Sequence, residues 1–301
     1  MTSTHDNPTL RPEMQEFLDI EGRERLYACW NRVWIPTPST KDAFLAMQDC
    51  MNAGPSTKPR GLIITGEADT GKSRTMTAFR DLHQPRLDPE SEYAEHPVIY
   101  MTAPDNPDPV LVLKKILVEL GHPLRYNPSA GDLRSHTVTM LKACRVGTVM
   151  IDEIHDISRD SRMNSKIVDF LVFMKNLINE TGRPFVVGGT DVVLDLIASE
   201  DQIAGRLNTV VRLKPFTLAE FAKILLAFER MLPLRRQSGF RENETLIQLA
   251  YTLTQGYVGR LNYLLEDACK VAIESGEERI STSTIDRVSD RSIVSVGRRV
   301  A

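Results

Sequence analysis

Residues 61–73 read GLIITGEADTGKS, and this stretch decides the fold class of the chain. Its apolar first part, Gly61–Thr65, is typical of a buried parallel strand. Its second part, Gly66–Ser73, fits the pattern G-x-x-x-x-G-K-(S/T) at every fixed position, and helical spacing follows over residues 74–82. In such a loop, backbone N–H groups and the positive end of the helix surround phosphate oxygens. The stretch therefore predicts a strand–loop–helix unit that binds nucleotide phosphates.

The residues of this loop have distinct predicted roles. Lys72 is expected to reach the β- and γ-phosphates, and Ser73 to bind Mg²⁺. Gly71 lets the backbone approach the phosphates because it has no Cβ atom. The predicted nucleotide contacts of the loop are Gly66, Glu67, Ala68, Asp69, Thr70, Gly71, Lys72, Ser73 and Arg74.

A second motif lies further along the chain, where the apolar run 149–151 ends in Asp152 and Glu153. An aspartate at a strand end is placed to hold Mg²⁺ through water. The glutamate after it is the natural group to orient and activate an attacking water. Alone, an acidic pair at a strand end is more often a solvated turn. Together with the phosphate loop, it predicts a chain that hydrolyses a nucleoside triphosphate.

Three further residues are candidates for completing this site, and each has a simpler alternative. Thr190 follows a strand and either hydrogen-bonds the γ-phosphate or the attacking water, or caps the helix that begins at Val192. Arg206 either reaches the γ-phosphate of a neighbouring subunit or is a surface arginine at a helix end. Arg260 either folds over the phosphates when a lid closes or is a solvated cation.

Composition narrows the class of protein. The 301 residues include 42% hydrophobic and 26% charged residues, with a formal net charge of −3. These values are close to ordinary globular usage and argue against a disordered or low-complexity chain. No apolar run approaches the roughly 20 residues that span a bilayer, and residues 1–10 lack the pattern of a signal peptide. The four cysteines are far apart, so we expect neither a zinc site nor a disulfide framework, and a cytoplasmic location.

Strand and helix patterns alternate as far as Pro215, and only helical patterns follow. Such alternation predicts a parallel sheet with helices on both faces. Five strands are predicted, over residues 61–65, 98–101, 148–151, 184–187 and 210–213. We therefore predict four parts: an N-terminal extension with a proline-rich segment (1–55), an α/β nucleotide-binding domain (56–215), a small all-α domain (216–292) and a basic C-terminal tail (293–301).

The order of these motifs resembles that of the AAA+ ATPases. More specific segments are similar to the TniB group of transposition proteins, which are relatives of the ATPase regulators of Tn7-like and Mu-like transposition. These segments are WIPTP at 34–38, IDEIH at 151–155, FMKNL at 173–177, VGGT at 187–190 and QIAGRL at 202–207. The resemblance covers roughly residues 30–270, which is most of the chain.

The resemblance implies a P-loop AAA+ domain with a five-stranded parallel sheet, followed by a small all-α lid. It implies ATP and Mg²⁺ as cofactors. The implied site residues are Lys72 and Ser73 for nucleotide and metal, Asp152 and Glu153 for metal and hydrolysis, Thr190 as the first sensor, Arg206 as an arginine finger that acts on a neighbouring subunit, and Arg260 as the second sensor.

The same resemblance implies a bacterial ATPase that assembles with ATP on double-stranded DNA, as a ring or helical filament of identical subunits. It would mark target DNA, bind a targeting adaptor of the TniQ type and recruit or activate a transposase. Hydrolysis would drive disassembly, and DNA would stimulate turnover. Membrane association is not expected. Two alternatives stay open: a replication-type AAA+ ATPase, such as a helicase loader or initiator, and a scaffold that binds nucleotide without hydrolysis.

Contacts with DNA are expected to be mostly with phosphates and therefore weakly sequence-selective. Candidates between the second strand and Asp152 are Lys114, Lys115, Arg125, Tyr126 and Arg134. Alternatively, these residues lie on an ordinary solvated helix face and bind no DNA. A basic cluster close to the C terminus is a further candidate to bind DNA or a transposase, or neither, and comprises Arg287, Arg291, Arg298 and Arg299.

Overall fold

The computed structural model describes residues 7–105, 108–123, 128–154 and 164–289. The chain divides into two compact units. One unit spans Pro38–Leu213, and the other combines the described residues up to Thr37 with those from Lys214 onward. Five of the basic or aromatic candidates lie outside the described residues, together with the tail 293–301: Arg125, Tyr126, Arg291, Arg298 and Arg299.

The first unit alternates strands and helices, as the sequence predicts. Its elements in chain order are α3 (Pro38–Asn52), β1 (Gly61–Thr65), α4 (Lys72–Leu82), β2 (Val98–Thr102), α5 (Pro109–Glu119), α6 (Ala130–Ala143), β3 (Thr148–Asp152), α7 (Asn164–Thr181), β4 (Phe185–Gly189), α8 (Val192–Ala198), α9 (Asp201–Ala204) and β5 (Leu207–Arg212). The short helices α1 and α2 precede them in the other unit.

The five strands form one parallel sheet in the order β2-β3-β4-β1-β5. This confirms the predicted five-stranded parallel sheet flanked by helices. All residues of β1, β3 and β4 are buried, which is why these three strands are the most continuously apolar in the sequence. Because all strands run in one direction, the segments that follow β1, β3 and β4 leave the sheet at the same edge.

Apolar side chains pack on both faces of the sheet, and the pleat distributes them. Leu62 and Ile64 of β1 share one core with Met47 of α3 and Phe79 of α4. Ile63, between them, lies in the core on the opposite face, with residues of α5, α6 and α7. Successive side chains of a strand point to opposite faces, so a fully apolar strand needs helices on both sides.

The second unit is all-helical in its described part. It contains α1 (Pro12–Gln15), α2 (Glu24–Cys29), α10 (Leu218–Glu229), α11 (Glu244–Thr254), α12 (Val258–Glu274) and α13 (Thr282–Ser289), with short 3₁₀ turns at Trp30–Arg32 and Phe240–Glu242. A buried ion pair joins its two chain segments. Arg25 donates to both carboxylate oxygens of Glu278, at 2.6 and 3.1 Å, and to the Pro233 carbonyl at 3.2 Å.

The structure divides the first 55 residues differently from the prediction, which treated them as one extension. Leu26 and Val33 share a core with Phe221 and other residues of the helical unit. After Thr37, α3 instead packs on the sheet of the α/β unit. The helical unit also begins at Lys214, two residues before the predicted boundary. An apolar pattern shows that a helix face is buried, but it does not identify the partner that buries it.

No helix in the described ranges combines the length and the apolar character needed to cross a bilayer.

Candidate active site

The phosphate loop joins β1 to α4 and needs glycine at its first position. Gly66 has φ 151°, and a Cβ atom there would lie 2.3 Å from the Leu213 carbonyl oxygen and 2.9 Å from Thr70 Oγ1. The Thr70 hydroxyl donates to the Glu67 carbonyl at 2.7 Å. Within this turn, residues 67–69 are exposed, whereas Thr70 is buried. The loop is therefore held in shape by a side chain of its own, and its exposed outer side is open to a ligand.

Lys72 is the buried cation of this loop. Its Nζ donates to the Gly66 carbonyl at 2.9 Å and to the Glu67 carbonyl at 2.8 Å. Burial lowers the pKa of the Lys72 ammonium, and nearby carboxylates, of which Glu153 has the largest effect, oppose this fall. Phosphate oxygens would supply further negative charge and favour the charged form of the lysine. The first turn of α4 thus contains a lysine suited to an anionic ligand, with the hydroxyl of Ser73 beside it.

The carboxylate of Asp152 is fixed at the end of β3. Asp152 is 1% exposed, and its Oδ1 accepts the backbone N–H of Glu153 at 2.9 Å. Its Oδ2 accepts the hydroxyl of Tyr100 at 3.1 Å. Gly188 on β4 leaves room for this carboxylate, because a Cβ there would lie 2.5 Å from Asp152 Oδ1. Carboxylate and hydroxyl oxygens are ligands that Mg²⁺ accepts beside nucleotide phosphates, so Asp152 and Ser73 fit that ion chemically.

Glu153 lies at a sharp turn of the backbone directly after β3. Its φ is 58°, in the left-handed region that a residue with a side chain rarely adopts, and the residue is half-buried. A conformation of this kind costs about 1–3 kcal/mol and is concentrated at functional sites. The phosphate loop follows β1 and Glu153 follows β3, so the parallel sheet brings Lys72 and Glu153 to the same edge. The arrangement brings together a cation for phosphate, a carboxylate for metal and a second carboxylate that can accept a proton.

Thr190 follows β4 at the same edge of the sheet and is half-buried. The residue at the N-cap of α8 is Asp191, and no side chain caps that helix. Thr190 contributes its carbonyl oxygen, which accepts the N–H of Val193 at 3.0 Å. The alternative in which the threonine hydroxyl caps the helix is therefore wrong. The role of Thr190 as a sensor of the γ-phosphate stays a prediction.

Asp191, which no motif predicted, joins the ends of β1 and β5 to the segment that follows β4. Its Oδ1 accepts the hydroxyl of Thr65 at 2.8 Å and lies 3.4 Å from Nε of Arg212. Thr65 ends β1, Arg212 ends β5, and Asp191 follows β4. The available signal was a second polar residue directly after a buried strand, but it does not reveal partners on two other strands.

Tyr100 was also missed. It lies on β2, whose pairing with β3 aligns Tyr100 with Met150 and Thr102 with Asp152. Burial, and then the charge of Asp152, raise the pKa of the Tyr100 hydroxyl. The hydroxyl therefore stays protonated at neutral pH and acts as a donor to the carboxylate. A tyrosine among apolar strand residues is only a weak sequence signal for this contact.

Arg206 lies at the opposite edge of the sheet from the phosphate loop. Its carbonyl accepts the N–H of Gly61, the first residue of β1, whereas the loop follows the last residue, Thr65. At about 3.3 Å per residue, β1 separates the two positions by about 13 Å. The guanidinium Nε donates to Asn179 Oδ1 at 2.8 Å. Arg206 is thus placed away from the loop of its own chain.

Arg260 belongs to the helical unit, where it lies in the first turn of α12. Its guanidinium carbon is 4.2 Å from the ring centre of Tyr257. The role of Arg260 as a second sensor stays a prediction.

Four of the DNA candidates lie in the described residues: Lys114 and Lys115 on α5, Arg134 on α6, and Arg287 in the last turn of α13. Lys114 and Lys115 line a groove of about 420 Å³ beside β2, and Lys115 Nζ donates to the Thr102 carbonyl at 2.9 Å. The guanidinium of Arg134 forms a bidentate ion pair with the carboxylate of Glu180, with N–O distances of 2.8 and 2.9 Å. This ion pair is partly exposed, and Lys114 and Lys115 are half-buried where they line the groove.

We expect Gly188→Ala to weaken Mg²⁺-dependent ATP binding about tenfold, because the added Cβ displaces a carboxylate next to the metal site. The same atom would lie 2.7 Å from Met76 Sδ, so unfolding should become about 1–3 kcal/mol easier. Calorimetry with and without Mg²⁺, and thermal unfolding, measure the two effects. Gly131→Ala is the control, because its Cβ meets nothing closer than Ser129 Oγ at 3.9 Å. Unchanged Mg²⁺ dependence in Gly188→Ala would contradict the position assigned to Asp152.

Comparison with solved structures identifies the fold. The ORC2 protein of Aeropyrum pernix, in ADPNP–ADP complexes, is 16% identical with a TM-score of 0.58, over 85% of this chain and 67% of that one. Cdc6p from Pyrobaculum aerophilum is 17% identical with a TM-score of 0.59, over 86% and 68%. Domain III of the Thermotoga maritima replication initiation protein DnaA is 12% identical with a TM-score of 0.51, over 92% and 95%. The chain therefore has the fold of the AAA+ ATPases.

Comparison of the sequence with family models identifies a family within this fold. No curated protein matches the chain significantly. A family model described as bacterial TniB protein matches residues 25–217, which include the phosphate loop, the acidic pair and Arg206. This confirms the resemblance drawn from the motifs, and because the match covers more than half of the sequence, the chain belongs to the TniB family.

Proposed function

We propose that this chain is an ATPase of DNA transposition that binds ATP with Mg²⁺ and hydrolyses it to ADP and phosphate. One observation carries the proposal: the phosphate loop with its buried Lys72 follows β1, and the acidic pair Asp152 and Glu153 stands at the end of β3, so the parallel sheet brings both to the same edge. Membership of the TniB family supports the role in transposition. The AAA+ fold supports the use of a nucleoside triphosphate.

Each residue of the site has a separate role in the proposed hydrolysis. Backbone N–H groups of the loop and the Lys72 ammonium bind the phosphates. Ser73 and Asp152 would hold Mg²⁺, which would supply neutralisation of the charge that develops on the phosphates. Glu153 orients a water and accepts its proton as the water oxygen attacks the γ-phosphorus. The bond to the β–γ bridging oxygen breaks, and ADP leaves. Thr190 and Arg260 contact the γ-phosphate region as sensors.

The position of Arg206 supports a homo-oligomer. Its backbone lies about 13 Å along the strand from the phosphate loop of its own chain, and in the proposed assembly it serves the site of a neighbouring subunit. Each site then consists of the loop and acidic pair of one subunit and Arg206 of the next. A head-to-tail contact of this kind builds a ring or a helical filament.

Double-stranded DNA is the proposed scaffold for this assembly. Lys114 and Lys115, which line the groove beside β2, contact its phosphates. Arg125, Tyr126 and Arg134 stay further candidates for phosphate contacts. ATP favours assembly on DNA, and hydrolysis releases it. The bound oligomer marks target DNA in the bacterial cytoplasm and recruits a transposase and a TniQ-type adaptor.

Nucleotide binding is the first test. Isothermal calorimetry should show ATP binding that Mg²⁺ strengthens, and Lys72→Ala should weaken it at least tenfold, because the lysine is a direct phosphate contact. Lys270→Ala is the matched control, because that lysine pairs with Glu266 and Asp267 on the exposed side of α12. Absence of adenine nucleotide binding by the wild-type chain would refute the proposal.

Assembly is the second test. Negative-stain imaging with duplex DNA should show DNA-bound oligomers with ATP and with a slowly hydrolysed analogue, but not with ADP. Oligomers that do not depend on the nucleotide would contradict the proposed cycle.

The replication-type alternative is supported by the fold shared with ORC2, Cdc6p and DnaA domain III. Affinity purification from the host distinguishes the two functions. Recovery of a transposase supports the transposition role, and recovery of a replicative helicase supports a loader. A steady-state ATPase assay tests the third possibility, a scaffold that binds nucleotide without hydrolysis.

A further inference from the structure

The carboxylate of Asp152 receives one donor on each of its oxygens, and the two donors have different origins. The Glu153 N–H on Oδ1 belongs to the next residue of the chain. The Tyr100 hydroxyl on Oδ2 comes from the neighbouring strand β2, 52 residues away in sequence. Two donors on different oxygens fix the rotation of a carboxylate. The orientation of the carboxylate that would hold Mg²⁺ through water therefore depends on the position of a tyrosine that lies one step further from the metal.

Tyr100 also lines the basic groove beside β2. The guanidinium carbon of Arg80 lies 5.4 Å from its ring centre, and both residues line the groove with Lys114 and Lys115. Glu119 is the acidic residue among the lining side chains, so cations prevail. An aromatic ring with three cations is suited to an anionic chain such as a phosphodiester backbone. The same tyrosine thus contacts the metal-site carboxylate at its hydroxyl and the groove at its ring.

Arg80 is poised to respond to an anion in this groove. Its Nε and a terminal nitrogen donate to Asp81 Oδ1, at 3.0 and 2.7 Å. The pair is surface-exposed, so it contributes little and is easily exchanged for another anion. A phosphate in the groove would compete with Asp81 for Arg80 and change the contact of the guanidinium with the Tyr100 ring.

We propose that Tyr100 is a positioning residue that holds the magnesium-binding carboxylate of Asp152 and couples it to the occupancy of the basic groove by DNA. This inference rests on the proposed function, because it concerns the same metal site. It adds a route by which DNA acts on that site: phosphate in the groove changes the Arg80–Tyr100 contact, and the Tyr100 hydroxyl transmits the change to Asp152.

Tyr100→Phe is the decisive variant, because it keeps the ring and removes only the donor. Partners of metal ligands typically contribute about 10–100-fold to metal affinity. We expect the Mg²⁺ concentration that half-maximally strengthens ATP binding to rise about tenfold, with the affinity for ATP in the absence of Mg²⁺ unchanged. Isothermal calorimetry across a Mg²⁺ series measures both quantities without turnover. A general loss of structure would weaken both, so the separation identifies a positioning effect.

Tyr251→Phe is the matched control. Its hydroxyl donates to the Phe216 carbonyl at 3.3 Å within the helical unit, so the same kind of hydrogen bond is lost elsewhere. We expect wild-type Mg²⁺ dependence for this variant. If Tyr100→Phe also binds Mg²⁺ and ATP as the wild type does, the proposed role of Tyr100 is overturned. A wild-type chain that binds no ATP at all overturns the proposed function itself and this inference with it.

Coupling to the groove is tested by repeating the Mg²⁺ series with a short DNA duplex at low salt. The duplex should shift the wild-type Mg²⁺ dependence severalfold, and the shift should be lost in Tyr100→Phe and in the double variant Lys114→Ala/Lys115→Ala. A shift that persists in Tyr100→Phe overturns the route through the tyrosine. Poly-L-glutamate is the parallel probe: a shift with this polymer and none with DNA overturns the choice of DNA as the ligand of the groove.

Discussion

Arg206→Ala should slow ATP turnover about 10³- to 10⁵-fold while the affinity for ATP stays close to that of the wild type. The reason is the place of Arg206 at the start of β5, about 13 Å along the neighbouring strand from the phosphate loop. From there it cannot contact the phosphates of its own subunit, so its removal leaves the binding site of a single chain intact. In the proposed assembly its charge acts where a second copy closes the site.

Two measurements check this expectation: the turnover per site at saturating ATP and DNA, and the affinity for ATP from calorimetry. Arg279→Ala is the control, because it removes an exposed arginine of the helical unit whose nearest carboxylate is 3.7 Å away. Turnover near the wild-type rate in Arg206→Ala would contradict the shared site.

Mixing two inactive variants provides a sharper test of sharing. The Arg206→Ala variant retains its acidic pair, and the Glu153→Gln variant retains Arg206. Where the acidic pair of the first variant faces the arginine of the second across a head-to-tail contact, the shared site contains both intact groups. In a random equal mixture of a head-to-tail oligomer, about a quarter of the contacts are of this kind. Activity of the mixture well above that of either variant is expected. Activity no higher than the average of the two would show that sites are not shared.

Glu153→Gln is expected to reduce hydrolysis about 10²- to 10⁴-fold, which is the usual contribution of a positioned general base. Glutamine has the shape of glutamate, so the turn at φ 58° is kept, but its amide cannot accept the proton of the attacking water. ATP binding should persist and become slightly tighter, because a negative charge next to the phosphates is removed. Rapid-quench measurement of bound ADP separates the chemical step from product release.

Glu90→Gln, at an exposed loop position, controls for the loss of one carboxylate. Hydrolysis at the wild-type rate in Glu153→Gln would assign the base elsewhere. A wild-type chain that binds ATP without turnover would instead favour the scaffold alternative.

The structure confirms the sheet predicted from the strand patterns, but four strands differ in their bounds, the fifth most of all. The sequence predicts it at residues 210–213, and the structure has β5 at Leu207–Arg212. Asn208 and Thr209 are exposed on this strand, which pairs with β1 on one side only. Polar residues are tolerated on an edge strand because its outer side meets solvent, so an apolar run marks only part of it.

The phosphate loop and the acidic pair could be predicted because each is a contiguous stretch with its own local pattern. Glycines, lysine and serine at fixed spacing, and carboxylates at the end of an apolar strand, specify their chemistry without any partner from elsewhere in the chain. The fold class follows from the same local signals, because alternating strands and helices leave few arrangements that bury both faces of a sheet.

The surroundings of these motifs were decided by tertiary structure. Tyr100 meets Asp152 only because β2 pairs with β3 in one register, and Asp191 meets Thr65 across 126 residues of sequence. The first 55 residues are divided between two cores for the same reason. A side chain's type and spacing determine what it is able to bind, whereas strand order and register determine what it touches, because contacts between distant segments form only when the whole chain packs.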